Sequence, residues 1–248
     1  MKHFLPIIFL LLFLFVDVFS CKKDKEIPPD MGYSYFPEYV GRCIVYDVDS
    51  FYYNDFTKHI DTFKYQLKEK YQSAFLDNQN RRTMRVERYV KRYNPKIPYT
   101  SLPWILKNVY TANRTATTAE TVEENIRYIK LAFPIKELQS WNGNAQNTFP
   151  PSNYDYAFFN VPRTVGKINF DSVLQVNQYD ESNLVMKKLY IEKYARHIGL
   201  VYKQVIDVQS QPKGIPDSLL SIWLGTPIMQ RITSGIQYTM TVNSFNCD

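Results

Sequence analysis

Two pairs of acidic residues are the first candidates for catalytic chemistry in this sequence. Asp47 and Asp49 share one face of a predicted strand, and Glu123 and Glu124 adjoin a predicted turn. Paired carboxylates can supply the acid and the base or nucleophile of glycoside hydrolysis. The same residues are also typical of a solvated sheet face and a charged turn, which is the interpretation we favour. We therefore predict no catalytic residue and no enzymatic activity.

Other common catalytic signatures are absent from the sequence. Beyond the N-terminal segment it has only two histidines: His59 in a polar connection and His197 in a predicted turn. No His-Glu-x-x-His, Cys-x-x-Cys, Gly-x-Ser-x-Gly or phosphate-binding glycine loop occurs. We accordingly predict no metal and no cofactor.

One basic residue occupies an apolar position. In the strand predicted over residues 83–92, Met84, Val86 and Val90 share a face, and alternation places Arg88 on that face too. An inward arginine must be paired or must line a hydrated cavity. Arg88 is therefore our candidate for an interior polar site, with a register change near the strand end as the alternative.

The N-terminus predicts export. Residues 1–20 contain Lys2 and an apolar run from Phe4 to Val16, which is typical of a signal peptide and shorter than the roughly 20 residues that span a bilayer. The segment Val18-Phe19-Ser20-Cys21 resembles the lipobox of bacterial lipoproteins, which implies lipidation of Cys21 and anchoring in the outer membrane of the cell envelope. If Cys21 carries no lipid, we expect a plain secreted protein.

The remaining chain divides into a tether and one domain. Residues 21–34 begin with a polar, proline-containing segment that suits a tether between a lipid anchor and a folded domain. Residues 35–248 show no repeat and no linker, so we predict a single β-rich domain.

The cysteine count leaves one pair inside this domain. If Cys21 carries lipid, Cys43 and Cys247 remain near the two ends of the folded part. A bridge between them would close a loop of about 200 residues, with a stabilisation of about 5 kcal/mol as an upper figure. Two unpaired thiols are the alternative, since a count cannot establish connectivity.

Alternating apolar and polar residues predict about nine or ten antiparallel strands. The clearest hairpin joins residues 62–71 to 83–92, a second turns at His197–Gly199, and residues 141–144 are predicted as a turn. One short helix is predicted over residues 216–224. The fold class is therefore all-β, as a single strongly curved antiparallel sheet that forms an open or closed barrel. A two-sheet β-sandwich is the alternative.

Several motifs resemble uncharacterised lipoproteins of the Bacteroidota cell envelope. They are Tyr35-Phe36-Pro37-x-x-Val40-Gly41 with Tyr46-x-Val48-Asp49-Ser50, Phe133-Pro134 with Trp141-Asn142-Gly143-Asn144, and Glu192-x-Tyr194-Ala195-x-x-Ile198-Gly199-Leu200-Val201. The resemblance implies an envelope location and a β-rich fold, and it implies no activity. Such proteins usually carry aromatic residues at positions 43 and 44, so the resemblance gives no support to a disulfide.

The charge and the aromatic content bear on which classes of molecule this protein binds. The net charge is +6, and aromatic residues make up 16% of the chain. No nucleic-acid-binding signature accompanies the charge, and an exported protein would not meet nucleic acid, so we predict none as a partner. Our leading hypothesis is a non-enzymatic lipoprotein that binds an apolar small molecule in a concave β interior. The alternatives are a structural or interaction module of an envelope protein complex and a carbohydrate-active enzyme.

Overall fold

The structure, a computed structural model, describes residues 29–247. The predicted signal peptide, the lipidation site Cys21 and the first part of the predicted tether lie outside the described residues. From Met31 onward the chain forms one compact unit.

This unit is built on a single antiparallel sheet of twelve strands, which confirms the all-β class and excludes the two-sheet sandwich. The strands are β1 (Cys43–Tyr53), β2 (Ile60–Leu76), β3 (Arg82–Arg92), β4 (Ile105–Arg114), β5 (Thr118–Glu123), β6 (Ile126–Ala132), β7 (Ser140–Asn142), β8 (Asn153–Val165), β9 (Ile168–Ser182), β10 (Met186–Ala195), β11 (Gly199–Gln209) and β12 (Ser234–Phe245).

The sheet curls until its two outer strands, β6 and β7, come close. Its order is β6-β5-β4-β3-β2-β1-β12-β11-β10-β9-β8-β7. At the seam the Ile129 amide donates to the Gly143 carbonyl at 2.9 Å, and the Trp141 indole nitrogen donates to the Ile129 carbonyl at 3.1 Å. The result is a nearly closed barrel, in which β6 and β7 are held by these few bonds.

Three predicted elements can be compared with the structure one by one. The predicted hairpin of β2 and β3 is confirmed, and both strands are long, with Glu69 directly opposite Arg88. The turn predicted over residues 141–144 is only partly right, because Ser140–Asn142 pair with β8 as the short strand β7. The predicted short helix is present as α1 (Asp217–Gly225), in the connection between β11 and β12.

Among the described residues no helix is both long enough and apolar enough to cross a membrane.

The barrel has two different ends. One end, which we call the open end, carries the β1–β2, β3–β4, β5–β6, β9–β10 and β11–β12 connections. The opposite end, which we call the closed end, is covered by residues 31–42, the N-terminal cap. The boundary predicted at residue 35 therefore falls inside this cap.

The cap is fixed by hydrogen bonds to several strand connections. The Tyr35 hydroxyl meets Ser172 Oγ at 2.6 Å, and Arg42 Nε donates to the Ile198 carbonyl at 2.8 Å. Gly199 has a φ of 97°, and a Cβ at this position would collide with the Arg42 guanidinium. Glycine is therefore required both for the backbone conformation and for the close approach of the cap.

A disulfide lies at the closed end. Cys43 at the start of β1 and Cys247 beyond β12 form a disulfide, with their Cα atoms 5.3 Å apart across a sequence separation of 204. The bond joins neighbouring strands, since β1 pairs with β12 along its length. It therefore ties the first and last strands at the end covered by the cap.

Candidate functional site

The interior of the barrel contains a small polar cavity, the inner cavity, of about 180 Å³. Its walls come from alternate residues of β2–β6 and β10–β12, and its floor comes from Phe36 and Arg42 of the cap. The lining is rich in charged and phenolic side chains: Arg42, Tyr65, Glu69, Tyr71, Arg88, Lys107, Tyr110, Glu123, Lys130, Glu192, Tyr194, Lys203 and Tyr238. The middle of the barrel is therefore polar.

Arg88 lies in this cavity, on the face that strand alternation predicted. Its Nε donates to Glu69 Oε1 at 2.7 Å, and its NH1 donates to Glu123 Oε2 at 2.6 Å. The guanidinium also lies over the Tyr110 ring, 4.1 Å from the centroid. Burial alone would lower the pKa of Arg88, but the two carboxylates and the phenol hold that pKa well above its ordinary value.

The second charged group in the cavity is centred on Glu192, whose side chain is only 1% exposed. Lys130 Nζ lies 2.6 Å and Lys203 Nζ 3.5 Å from Glu192 Oε1, while the Tyr194 hydroxyl donates to Glu192 Oε2 at 2.6 Å. Burial would raise the pKa of Glu192, yet the two lysines and these hydrogen bonds lower it to about 2. Glu192 is therefore ionised at neutral pH.

Two polar atoms in the cavity wall have no hydrogen-bond partner in the described chain. They are Thr121 Oγ1 and Asn108 Oδ1. Thr121 is 7% exposed. Buried hydroxyl and amide groups normally form hydrogen bonds, so both atoms indicate that the cavity accommodates water or another polar group.

The inner cavity continues into a wider cleft at the open end, the open-end cleft, of about 720 Å³. Tyr65 and Lys107 line both spaces. The cleft combines aromatic and aliphatic surface with cations, and its lining comprises Ser50, Thr62, Phe63, Lys64, Tyr65, Val90, Arg92, Tyr93 and Lys107. A volume of 300–1,000 Å³ is the usual range for small-molecule sites.

The acidic residues considered for catalysis are not assembled into a site. Asp47 accepts hydrogen bonds from Gln66 at 3.0 Å and Asn243 at 2.7 Å, and Asp49 faces Lys64 at 3.4 Å, on the face of β1 opposite the cavity. Glu123 binds Arg88 inside the barrel, whereas Glu124 is exposed in the β5–β6 turn. Each predicted pair is therefore separated or held by neighbouring side chains.

Both histidines are exposed. His59 lies 3.1 Å from Asp61, and His197 occupies the β10–β11 turn with a φ of 64°. Within residues 29–247 no group of three or more histidine, cysteine or acidic side chains is arranged to hold a metal ion.

Most of the residues that line the cavity were not predicted from the sequence. Glu69 lies between Leu67 and Tyr71, two residues from each, on the inward face of β2, so alternation alone could have singled it out beside Arg88. Glu192 and Tyr194 stand two apart in one of the motifs, which indicates a shared face. No local sequence pattern places Lys130 or Lys203 beside Glu192, because these side chains come together only when the sheet curls.

Comparisons with known proteins give structural likenesses. No family model and no curated protein matches the sequence. The chain is similar to a protein of Bacteroides fragilis inferred to be exported, with a YmcC-like fold (TM-score 0.37), and to an inferred lipoprotein of Parabacteroides distasonis (TM-score 0.40). Each is 10% identical, and the match covers 85% of this chain and 97% of the other. The structural neighbours of this chain thus include two Bacteroidales proteins, as the sequence motifs led us to expect.

We predict that Arg88→Met destabilises the protein by about 3–5 kcal/mol, because it leaves the buried Glu69 and the half-buried Glu123 without their cation. The control is Arg85→Met: Arg85 is 46% exposed and pairs with Glu87, and its loss should cost less than about 1 kcal/mol. Urea unfolding of both variants at neutral pH measures the difference. Equal costs would show that the buried ion pairs add nothing to stability.

We further predict an acid dependence that comes from Glu192. Its pKa is about 2 in the folded protein against 4.5 as the ordinary value, so its contribution of about 3 kcal/mol is complete above pH 4.5 and disappears as the pH falls towards 2. Glu192→Gln should therefore be much less stable than the wild type at pH 6, and the gap should narrow towards pH 2. Urea unfolding at pH 6, 4 and 2 tests this.

The matched control is Glu181→Gln, at an exposed position without an ion pair in the described chain. This variant should follow the wild type at every pH. A gap between Glu192→Gln and the wild type that stays constant from pH 6 to pH 2 would mean that Glu192 is not the titrating group.

Proposed function

We propose that this chain is a non-enzymatic, lipid-anchored protein of the cell envelope that binds an apolar ligand in the open-end cleft. The observation that supports ligand binding is the cleft itself, whose volume of about 720 Å³ suits a small molecule and whose walls include Phe63, Tyr65 and Tyr93. Phe63 and Tyr93 are 54% and 55% exposed, so a ligand would remove large aromatic surfaces from water.

The proposed position is more specific than the concave interior expected from the sequence. The inner cavity is a poor place for an apolar group, because its volume is only about 180 Å³ and charged side chains form its walls. An apolar group there would separate buried charges from their remaining water. The cleft, where the lining becomes aromatic, is the part of the interior that fits an apolar ligand.

We propose no catalytic role for the acidic residues. The carboxylates that could have formed a hydrolytic pair are held by other side chains: Glu123 by Arg88, and Asp47 by Gln66 and Asn243. Each carboxylate of the inner cavity is paired with a cation, which is typical of a structural network.

A second candidate is an interaction module of an envelope protein complex. Large apolar side chains are exposed around the open end: Phe56 is 96% exposed, and Ile105 and Ile222 are 62% and 67% exposed. Apolar side chains presented together at one end of a domain favour contact with another protein. If the cleft binds no ligand, the interaction module becomes the favoured function.

Ligand binding can be tested with N-phenyl-1-naphthylamine, a neutral apolar dye that fluoresces when it leaves water. We predict saturable binding to the Cys21→Ala chain, which should be free of lipid and detergent. Phe63→Ala and Tyr93→Ala in that chain should each weaken binding about tenfold, because each removes aromatic contact worth about 1.5 kcal/mol.

The control substitution is Phe75→Ala. Phe75 lies on the same strand as Phe63 and is 44% exposed, but at the closed end of the barrel. It should leave dye binding unchanged. A wild-type cleft that binds no dye, or an equal loss in all three variants, would exclude the cleft as the binding site.

The anchor has its own test. We predict that Cys21→Ala releases the protein from the membrane fraction, because the proposed anchor consists of two or more acyl chains on Cys21, which together bind a bilayer firmly. Fractionation of an envelope-producing host, with mass spectrometry of the wild type for a lipid-sized addition, measures both effects. A Cys21→Ala chain that still sediments with membranes would contradict lipid anchoring.

A further inference from the structure

We propose that the ligand is an anionic amphiphile, which binds with its charged group beside Lys107 at the top of the inner cavity and its apolar part in the open-end cleft. This inference rests on the proposed function and adds the charge of the ligand and its orientation. It follows from two features of the interior: an excess of cations and the different sizes of the two spaces.

The interior carries more cationic than anionic side chains. The inner cavity is lined by three carboxylates, those of Glu69, Glu123 and Glu192, and by five cations, those of Arg42, Arg88, Lys107, Lys130 and Lys203. Arg92 adds a further cation in the cleft. The lining as a whole therefore favours a negative ligand.

The cations differ in how far they are already neutralised. Arg88 binds two carboxylates, and Lys130 lies 2.6 Å from Glu192. Lys107 and Arg92 have no carboxylate within ion-pair distance in the described chain, and Lys107 Nζ instead lies 5.5 Å from the centre of the Tyr65 ring. Lys107 lines both the cavity and the cleft, so an anion placed beside it would also face the deeper charges.

Asn108, the residue next to Lys107, presents an unpartnered acceptor at the top of the cavity, because its Oδ1 has no hydrogen-bond partner in the described chain. A water molecule accompanying the anion can donate to it. Thr121 lies deeper in the cavity, opposite Ala112 of β4, and is not part of the proposed contact.

The sizes of the two spaces set the orientation. About 180 Å³ admits a head group with a little water, whereas about 720 Å³ admits an acyl chain or a ring system. The reverse orientation would place hydrocarbon among Arg88, Glu123 and Glu192 and leave the charged group near exposed aromatic rings. The desolvation of buried charges therefore selects the orientation with the head group inward.

The experiment compares three amphiphiles with the same alkyl chain and different head groups: dodecanoate, dodecyl maltoside and dodecyltrimethylammonium. Titration calorimetry on the Cys21→Ala chain, below the micelle concentration and at fixed ionic strength, should show dodecanoate binding at least tenfold more tightly than the neutral compound. The cationic compound should bind most weakly. Equal affinities, or a preference for the cation, would overturn the inference.

Substitutions then test where the anionic head group of the ligand binds. Lys107→Gln should weaken dodecanoate about fivefold or more and leave dodecyl maltoside unchanged. Lys167→Gln removes the same charge from the exposed β8–β9 turn at the closed end and should change neither affinity, which controls for the net charge of the protein. A preference for dodecanoate that survives Lys107→Gln would contradict the proposed position.

If none of the three amphiphiles binds, the proposed function itself fails; if all three bind equally, only the charge selectivity fails.

Discussion

A sheet of twelve strands that curls into a barrel encloses more space than aliphatic side chains can fill. About eight strands give an interior that ordinary side chains just fill, and wider barrels must contain a plug, a cavity or both. This protein contains both. The cap closes one end with Tyr35 and Phe36, and long polar side chains extend across the middle. The width of the sheet therefore accounts for the presence of arginine, lysine, glutamate and tyrosine inside the fold.

Charges placed inside a barrel must compensate one another, and this requirement organises the strands around them. Arg88 of β3 joins Glu69 of β2 and Glu123 of β5, while Glu192 of β10 joins Lys130 of β6 and Lys203 of β11. The ion pair between Lys130 and Glu192 crosses the interior between strands far apart in the sheet order. Few hydrogen bonds join the outer strands β6 and β7, so this buried bond supports the closed shape from within.

The sequence was informative where structure is local. Alternation predicted the β2–β3 hairpin and the inward position of Arg88, because both depend on residues that are neighbours within one strand or one hairpin. Turn residues misled at Ser140–Asn142, where three residues pair with β8 despite a typical turn composition. The partners of Glu192 were beyond such reasoning, because a lysine 62 residues away becomes its neighbour only through the curvature of the whole sheet.

The position of the first and last strands bears on which end of the domain can meet a ligand. The cap, the start of β1 and the end of β12 all lie at the closed end, where the disulfide joins Cys43 to Cys247. The open-end cleft lies at the opposite end of the barrel, so the bond that joins the first and last strands and the proposed binding site are separated by the length of the sheet. Large apolar side chains are exposed at both ends of the barrel, for example Phe56 at the open end and Val40 and Leu138 at the closed end. The cleft, and not exposure alone, is therefore what distinguishes the open end as the place for a ligand.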